Sequence, residues 1–159
     1  MQTSIEIYEA SKDDVHEIAV MTSELLREIM YKIGKDVFSF NQEETKERAK
    51  ELLSKDTCSV FVAKHKEKIV GFICVYECYA LYAEGSFGTI SELYVRPEYR
   101  SLDVGKGLLK KVRMLSVSKN FSRLEVTTPP LPQFEKSLSF YQKNGFEISG
   151  GRKLKMDIS

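Results

Sequence analysis

Cysteine and histidine are scarce: Cys58, Cys74, Cys78, His16 and His65 are the whole supply in 159 residues. An odd number of cysteines closes no disulfide framework, and without a second cysteine pair or a histidine cluster there is no zinc ligand set. The three cysteines read as reduced thiols, His16 and His65 as a solvated helix-side and a solvated turn residue, and no metal is expected. Long apolar runs are missing too; none approaches the ~20 residues needed to cross a bilayer. The amino-terminal stretch alternates polar and apolar residues instead of following a basic segment with an apolar one, as export signals do. A cytoplasmic protein without a membrane partner is the expectation. Charge of one sign is also lacking, since 24 Lys and Arg stand against 23 Asp and Glu for a net +1. A nucleic-acid partner calls for a strongly basic domain, so none is expected, and any anion site must be local. Repeats, low-complexity tracts and linkers are absent.

What is present suffices for one core. With 42% hydrophobic residues the chain fits a single domain over 1–159. Ile5 and Ile7 alternate with polar neighbours as in a half-buried strand. Ser11 or Asp13 can cap a helix carrying Val15, Ile18, Ala19, Leu25, Leu26 and Ile29 on one face, before an irregular aromatic connection over residues 30–40. A more charged helix fits residues 42–55. Two β-branched runs, 59–63 and 69–76, joined by His65-Lys66-Glu67-Lys68, require an antiparallel hairpin. Residues 80–88 read as loop, 89–95 as a strand, 124–127 as another, with a helix between them that favours a parallel right-handed crossover. After Pro129-Pro130-Leu131-Pro132, a helix over 134–144 ends at Gly145. Residues 146–148 and 153–158 then suit a closing hairpin around Ser149-Gly150-Gly151.

The stretch from Ser91 to Leu109 carries the functional signal. Leu93-Tyr94-Val95 is a strand run that Pro97 must end, because proline has no N–H for a ladder. Beyond Arg100, the positions Val104, Leu108, Leu109, Val112 and Leu115 recur at helical spacing from a start near Asp103. Gly105 and Gly107 in the first turn lower helix propensity but let a ligand approach the backbone. A helix N-terminus with free amides after a short loop is a ready place for a diphosphate.

This stretch resembles the acetyl-CoA loop of the GNAT N-acetyltransferases, Arg/Gln-x-x-Gly-x-Gly/Ala after a strand ending like Leu-Tyr-Val. The matching residues are Arg100-Ser101-Leu102-Asp103-Val104-Gly105, with Asp103 in place of the first glycine. Phe140-Tyr141-Gln142-Lys143-Asn144-Gly145-Phe146 resembles the family's late Phe-Tyr-x-Lys-x-Gly-Phe segment, so the likeness spans nearly the whole chain. The resemblance implies an α/β (α+β) fold. Its mixed, mostly antiparallel sheet has six to seven strands, about four flanking helices, and one parallel pair splayed open at the cofactor site.

It also implies an acetyl-CoA-dependent N-acetyltransferase acting on a primary amine, small-molecule or peptide, by direct transfer in a ternary complex, with CoA as product. Backbone groups of Leu93, Tyr94 and Val95 would hold the pantetheine arm. The amides of Arg100, Ser101, Leu102, Asp103, Val104, Gly105, Lys106 and Gly107 would hold the diphosphate. The Asp103 carboxylate is expected to cap the helix through the N–H of Gly105 or Lys106, using amides the diphosphate wants, with Arg100, Lys106 and Arg96 offsetting its charge. Tyr141 matches the tyrosine that protonates the departing thiolate. Glu92 is the first candidate for the base, although strand alternation sets it opposite Ser91, which stands where some relatives carry a glutamate or histidine. Glu77 and Glu84 are the other candidates. Phe134 stands where the family has an asparagine. Tyr31, Glu77, Tyr79, Tyr82 and Ser91 could receive the amine through aromatic faces and carboxylates, although such aromatics can equally close a core or a homodimer interface. The competing reading is a non-catalytic or weakly acyl-CoA-binding protein of the same fold with a regulatory or protein-interaction role, and Asp103, Ser91 and Phe134 favour it.

Overall fold

Two antiparallel hairpins build the centre of the sheet, and the computed structural model describes them within residues 4–158. The first three residues of the amino-terminal pattern and the last of the 1–159 span lie outside the described residues. By internal packing the chain divides into two compact units, Met1–Thr127 and Thr128–Ser159.

In the first unit the order is β1 (Ile5–Glu9), α1 (Val15–Ile33), α2 (Gln42–Leu53), β2 (Cys58–His65), β3 (Lys68–Ala80), β4 (Gly85–Val95), α3 (Val104–Ser118) and β5 (Leu124–Val126). The strands lie side by side in chain order, antiparallel except for the parallel β4–β5 pair that α3 connects. The second unit holds α4 (Glu135–Lys143).

Local chemistry explains the ends of the helices. Ser11 and Asp14 form a reciprocal capping box on the turn that leads into α1, and Gly34 closes it in the left-handed region at φ 69°. Helix α1 therefore runs through Met30 to Ile33, where the sequence suggests an irregular connection. The Asn41 side chain accepts the N–H of Glu44 at 3.0 Å and starts α2. Gly145, at φ 95°, follows α4 while the Phe146 N–H closes on the Tyr141 carbonyl at 3.0 Å, as expected for a glycine-ended helix.

The two faces of the sheet are covered by different helices. On one face Ile18 and Met21 of α1 pack with Val60, Val62, Phe72, Cys74 and Tyr94, and Ala49, Leu52 and Leu53 of α2 close over them. On the other, the buried Val104, Leu108, Leu109 and Val112 of α3 lie against the strands. Gly71 permits this approach: a Cβ there would lie 2.9 Å from the Tyr94 carbonyl oxygen and 3.4 Å from Leu108.

Three readings of the sequence need correction. Strands β3 and β4 extend through Glu77–Ala80 and Gly85–Gly88, because the two segments ladder onto each other residue by residue, so the expected loop shrinks to the turn Leu81–Ala83. The sheet has five strands among the described residues, not six to seven. The closing hairpin expected over residues 146–158 forms no ladder among the described residues, where the chain bends at Gly150 and Gly151. His65 is half-buried, with its ring 5.6 Å from that of Tyr99 and Nδ1 3.1 Å from the Ser4 carbonyl, and so is not simply solvated.

Gly71→Ala forces a methyl onto a backbone oxygen that cannot rotate away. Urea unfolding should show a loss of about 1–3 kcal/mol; an unchanged midpoint would mean that α3 and the strand shift freely.

Candidate functional site

Strand β4 outlasts its parallel partner. Its pairing with β5 ends at Ile90↔Val126, whereas its pairing with β3 continues to Gly71↔Val95. From Ser91 to Val95 one edge of β4 therefore has no strand beside it among the described residues. Backbone groups on such an edge accept an extended ligand as an added strand.

The edge opens at a bulge. Ile90 faces Val75 and Glu92 faces Cys74, so Ser91 is the extra residue. The bulge cancels the alternation expected from the sequence: the Ser91 hydroxyl donates to the Glu92 carboxylate, and both side chains stand on one side. Cys74 lies across the pair. Burial first, then the Glu92 charge, pushes its thiol up to about 12.

Beyond Val95 the chain is fastened to α1. Arg96 is buried, its Nη1 donating to the Ile69 carbonyl at 2.8 Å, its Nη2 to Glu17 at 3.1 Å and its Nε to Glu24 at 3.2 Å. Burial alone pulls the Arg96 guanidinium down, but the bonds and charges of Glu24 and then Glu17 outweigh it, and its pKa stands above the ordinary arginine value. Tyr94 donates its hydroxyl to Glu24 at 3.2 Å, and its phenol is raised to about 12, by burial first and by Glu24 next. Arg100 gives Nε to the Val95 carbonyl at 2.7 Å and Nη2 to Glu28 at 2.6 Å, with its guanidinium 5.5 Å from the centre of the Tyr94 ring. Both arginines are thus committed to the scaffold, and Lys106, exposed in the first turn of α3, is the cation left to offset Asp103. The sequence signal for this network is Glu17, Glu24 and Glu28 on one face of a helix. A cavity of ≈ 740 Å³ beside it is lined by Tyr8, Asp14, Glu17, Glu24 and Arg96 among others, and neither Glu92 nor Tyr141 borders it.

Asp103 corrects another expectation. Its backbone is left-handed at φ 60°, ψ 22°, and its carboxylate makes no capping bond. That is the conformation glycine adopts without penalty and aspartate tolerates. The first-turn amides of Val104, Gly105 and Lys106 precede the first bond of α3, from the Gly107 N–H to the Asp103 carbonyl at 3.0 Å, and have no acceptor within the helix. The amides of Arg100 and Leu102 turn inward instead, toward the Pro97 and Tyr99 carbonyls at 3.3 Å each. Gly107 serves packing: a Cβ there would lie 2.6 Å from Cδ1 of Ile7. Ser101 and Leu102 are exposed, and Val104 anchors the helix in the core.

The residues expected around the amine are spread over several elements. Tyr79 donates to Glu77 at 3.1 Å on the β3 extension. Tyr82, in the hairpin turn, has the Arg123 guanidinium 5.1 Å from its ring centre. Tyr31 stands on α1, 89% exposed, beside a cavity of ≈ 430 Å³. In the second unit Tyr141 is buried edge-on between Phe140 and Phe146, at 5.3 and 5.4 Å, and burial raises its phenol to about 12.

The acetyltransferase (GNAT) family model matches residues 21–146, most of the chain, from within α1 to just past the end of α4. The chain belongs to the GNAT acetyltransferase family. Among its relatives is an uncharacterized N-acetyltransferase of Archaeoglobus fulgidus, 29% identical over 118 residues, which cover 73% of this chain and 76% of that protein. The fold is that of an aminoglycoside N-acetyltransferase solved in complex with CoA, at a TM-score of 0.80 and 16% identity over 99% of this chain and 97% of the other. It is also that of a ribosomal-protein-alanine N-acetyltransferase from Brucella melitensis biovar Abortus, at a TM-score of 0.73 and 16% identity over 97% and 99% of the two chains. Family membership supports use of an acyl-CoA. The open β4 edge and the uncapped first turn of α3 fit such a group chemically, since an extended arm can pair with edge backbone and a diphosphate can take free helix-end amides.

Arg96→Met removes the shared partner of two carboxylates and a buried carbonyl. Stability should fall by about 2–4 kcal/mol, less than for a fully enclosed pair because both glutamates reach solvent. Thermal unfolding with and without the substitution measures this, and a loss within the error of the method would show the network to be incidental.

Proposed function

We propose that this GNAT protein transfers the acetyl group of acetyl-CoA to a primary amine, in the cytoplasm, through a ternary complex formed on a single domain. The observation that carries the reading is the open edge from Ser91 to Val95 leading into the uncapped first turn of α3. When bound, the cofactor supplies an acetyl thioester. Leu93, Tyr94 and Val95 hold its extended arm through backbone groups, and the amides of Val104, Gly105 and Lys106 receive its diphosphate, each helix-end contribution being about 0.3–1 kcal/mol. Ser101 and Leu102 border that cradle. Arg100 shapes it through Val95 and Glu28, and Gly107 lets α3 seat on β1 behind it.

Glu92 removes a proton from the attacking amine, directly or through a water, with its carboxylate oriented by Ser91. The amine nitrogen forms a bond to the thioester carbon and the carbon–sulfur bond breaks. Tyr141 donates a hydrogen bond to the departing sulfur, which takes up its proton only after the carbon–sulfur bond has broken. At about 12 the Tyr141 phenol is a weaker acid than a thiol near 8.5. Its part is therefore a hydrogen bond that strengthens as charge develops on sulfur, not a completed transfer ahead of bond cleavage. The amine approaches past Glu77, Tyr79 and Tyr82 on the extended hairpin, whose carboxylate and aromatic faces suit a cation.

Two measurements test this reading. Tyr141→Phe should bind acetyl-CoA as the parent does while turnover drops roughly tenfold to a thousandfold; undiminished turnover removes Tyr141 from the reaction. Asp103→Asn keeps the left-handed residue and deletes a charge that would stand about 6 Å from a phosphate, worth roughly 0.7 kcal/mol in water and about 3 kcal/mol at an effective dielectric near 20. Calorimetry at low salt should show acetyl-CoA binding tightened between about threefold and a hundredfold, with the gain shrinking as salt is added. No heat of binding at millimolar acetyl-CoA in either form would favour the non-catalytic reading.

A further inference from the structure

The bulge in β4 sets a single residue of β3 against two of its neighbour. Leu93 pairs with Ile73 and Ile90 with Val75, so Ser91 and Glu92 between them share one counterpart, Cys74. Cys74 is 3% exposed and belongs to the core cluster with Val60, Phe72 and Tyr94, whereas Glu92 is half-buried. The pair is thus met from the core by a thiol. That thiol feels the Glu92 charge and shares side-chain hydrogen bonds with Glu92 and Ser91. It keeps its proton at neutral pH, and toward an ionised carboxylate a protonated thiol can only donate. An S–H is a weak donor, but this one sits on a side chain already fixed by packing, so little further entropy is lost in making the bond.

We propose that Cys74 is a positioning residue of the transfer reaction, its thiol proton holding the Glu92 carboxylate from the core while the Ser91 hydroxyl holds it along the strand. The proposal rests on the reading of Glu92 as the base. Two donors fixed on different elements restrict the rotation that one donor leaves free, and the remaining lone pairs of the carboxylate then keep a constant direction for the amine. An alanine at this position would fill most of the same core space, yet would set a methyl against a half-buried charge and leave that side of the carboxylate without a donor.

A packing role and a positioning role predict opposite orders for two substitutions. A buried cysteine packs as a small hydrophobe, so Cys74→Ser, which buries a hydroxyl, should be no more stable to urea than Cys74→Ala. Turnover should run the other way. Followed by release of CoA thiol with a small primary amine and a peptide amine as acceptors, it should fall roughly tenfold in Cys74→Ala and stay within about twofold of the parent in Cys74→Ser, with acetyl-CoA affinity unchanged in both. Equal turnover in the two variants, or losses that follow their stabilities, overturns the proposal. The infrared S–H stretch gives a second readout on the protein without cofactor or amine. The parent spectrum less that of Cys74→Ala isolates the Cys74 band, which should lie below the frequency of a free thiol and rise when the same subtraction is made in Glu92→Leu. A band indifferent to Glu92 overturns the proposal as well. Undiminished turnover in Glu92→Gln would instead remove the base, and with it the role of Cys74, while leaving the infrared bond in place.

Discussion

Arg96 is where three elements of the first unit are tied. Its N–H reaches the Val70 carbonyl at 2.8 Å and its side chain reaches the Ile69 carbonyl, so the end of β4 is fixed to the start of β3, while Glu17 and Glu24 fix both to α1. Taking a guanidinium out of water is costly unless its donors are met, and here carboxylates and a carbonyl meet them in the directions a planar fork requires. Lysine's three donors fan from a single nitrogen and cannot match the separated directions that the planar fork serves. Because Arg96 immediately precedes Pro97, the same anchor sets where the turn Pro97–Tyr99 begins and hence where the first turn of α3 points. Arg100 repeats the device one step further along, from Val95 to Glu28.

That anchoring gives the open edge of β4 its definition. A strand edge without a neighbour is normally a liability, prone to pairing with other chains. Here the loss of the β5 partner after Ile90 coincides with the Ser91 bulge on the β3 side, so twist and exposure change at one residue. An edge held this firmly at its far end stays extended without a partner strand and is prepared for a ligand that binds through backbone groups.

The parts of this design that depend on periodicity were readable from the sequence. Helix α3, the β2–β3 hairpin and the parallel crossover follow from alternation, helical spacing and connection length, and the family resemblance is carried by Leu93–Val95, Arg100–Gly105 and Phe140–Phe146. The β3–β4 extension was not readable, because Glu77, Cys78, Gly85 and Gly88 look like loop residues and only the cross-strand ladder makes them strand. Nor were the roles of Arg96 and Arg100, whose glutamate partners lie 72 or more positions away in the chain. Asp103 shows a subtler limit. Its position next to a helix start suggests a cap, yet the residue takes the left-handed backbone that a glycine would occupy, and composition alone does not distinguish the two.

The bulge also bears on why a carboxylate, and not the neighbouring thiol, is the reactive candidate at the centre of the first unit. Regular alternation would separate Ser91 from Glu92, and a serine hydroxyl pointing elsewhere would leave the carboxylate free to rotate. With the extra residue the hydroxyl is brought to the carboxylate and holds one oxygen, which leaves the other lone pairs for an incoming donor. Cys74, packed in the core across from them, has its thiol raised to about 12 by burial and by that same carboxylate. It stays protonated at neutral pH and does not compete for an acyl group, since thiolate and not thiol is the nucleophile. Burial and the Glu92 charge thus keep Cys74 a poor nucleophile beside the Ser91–Glu92 pair.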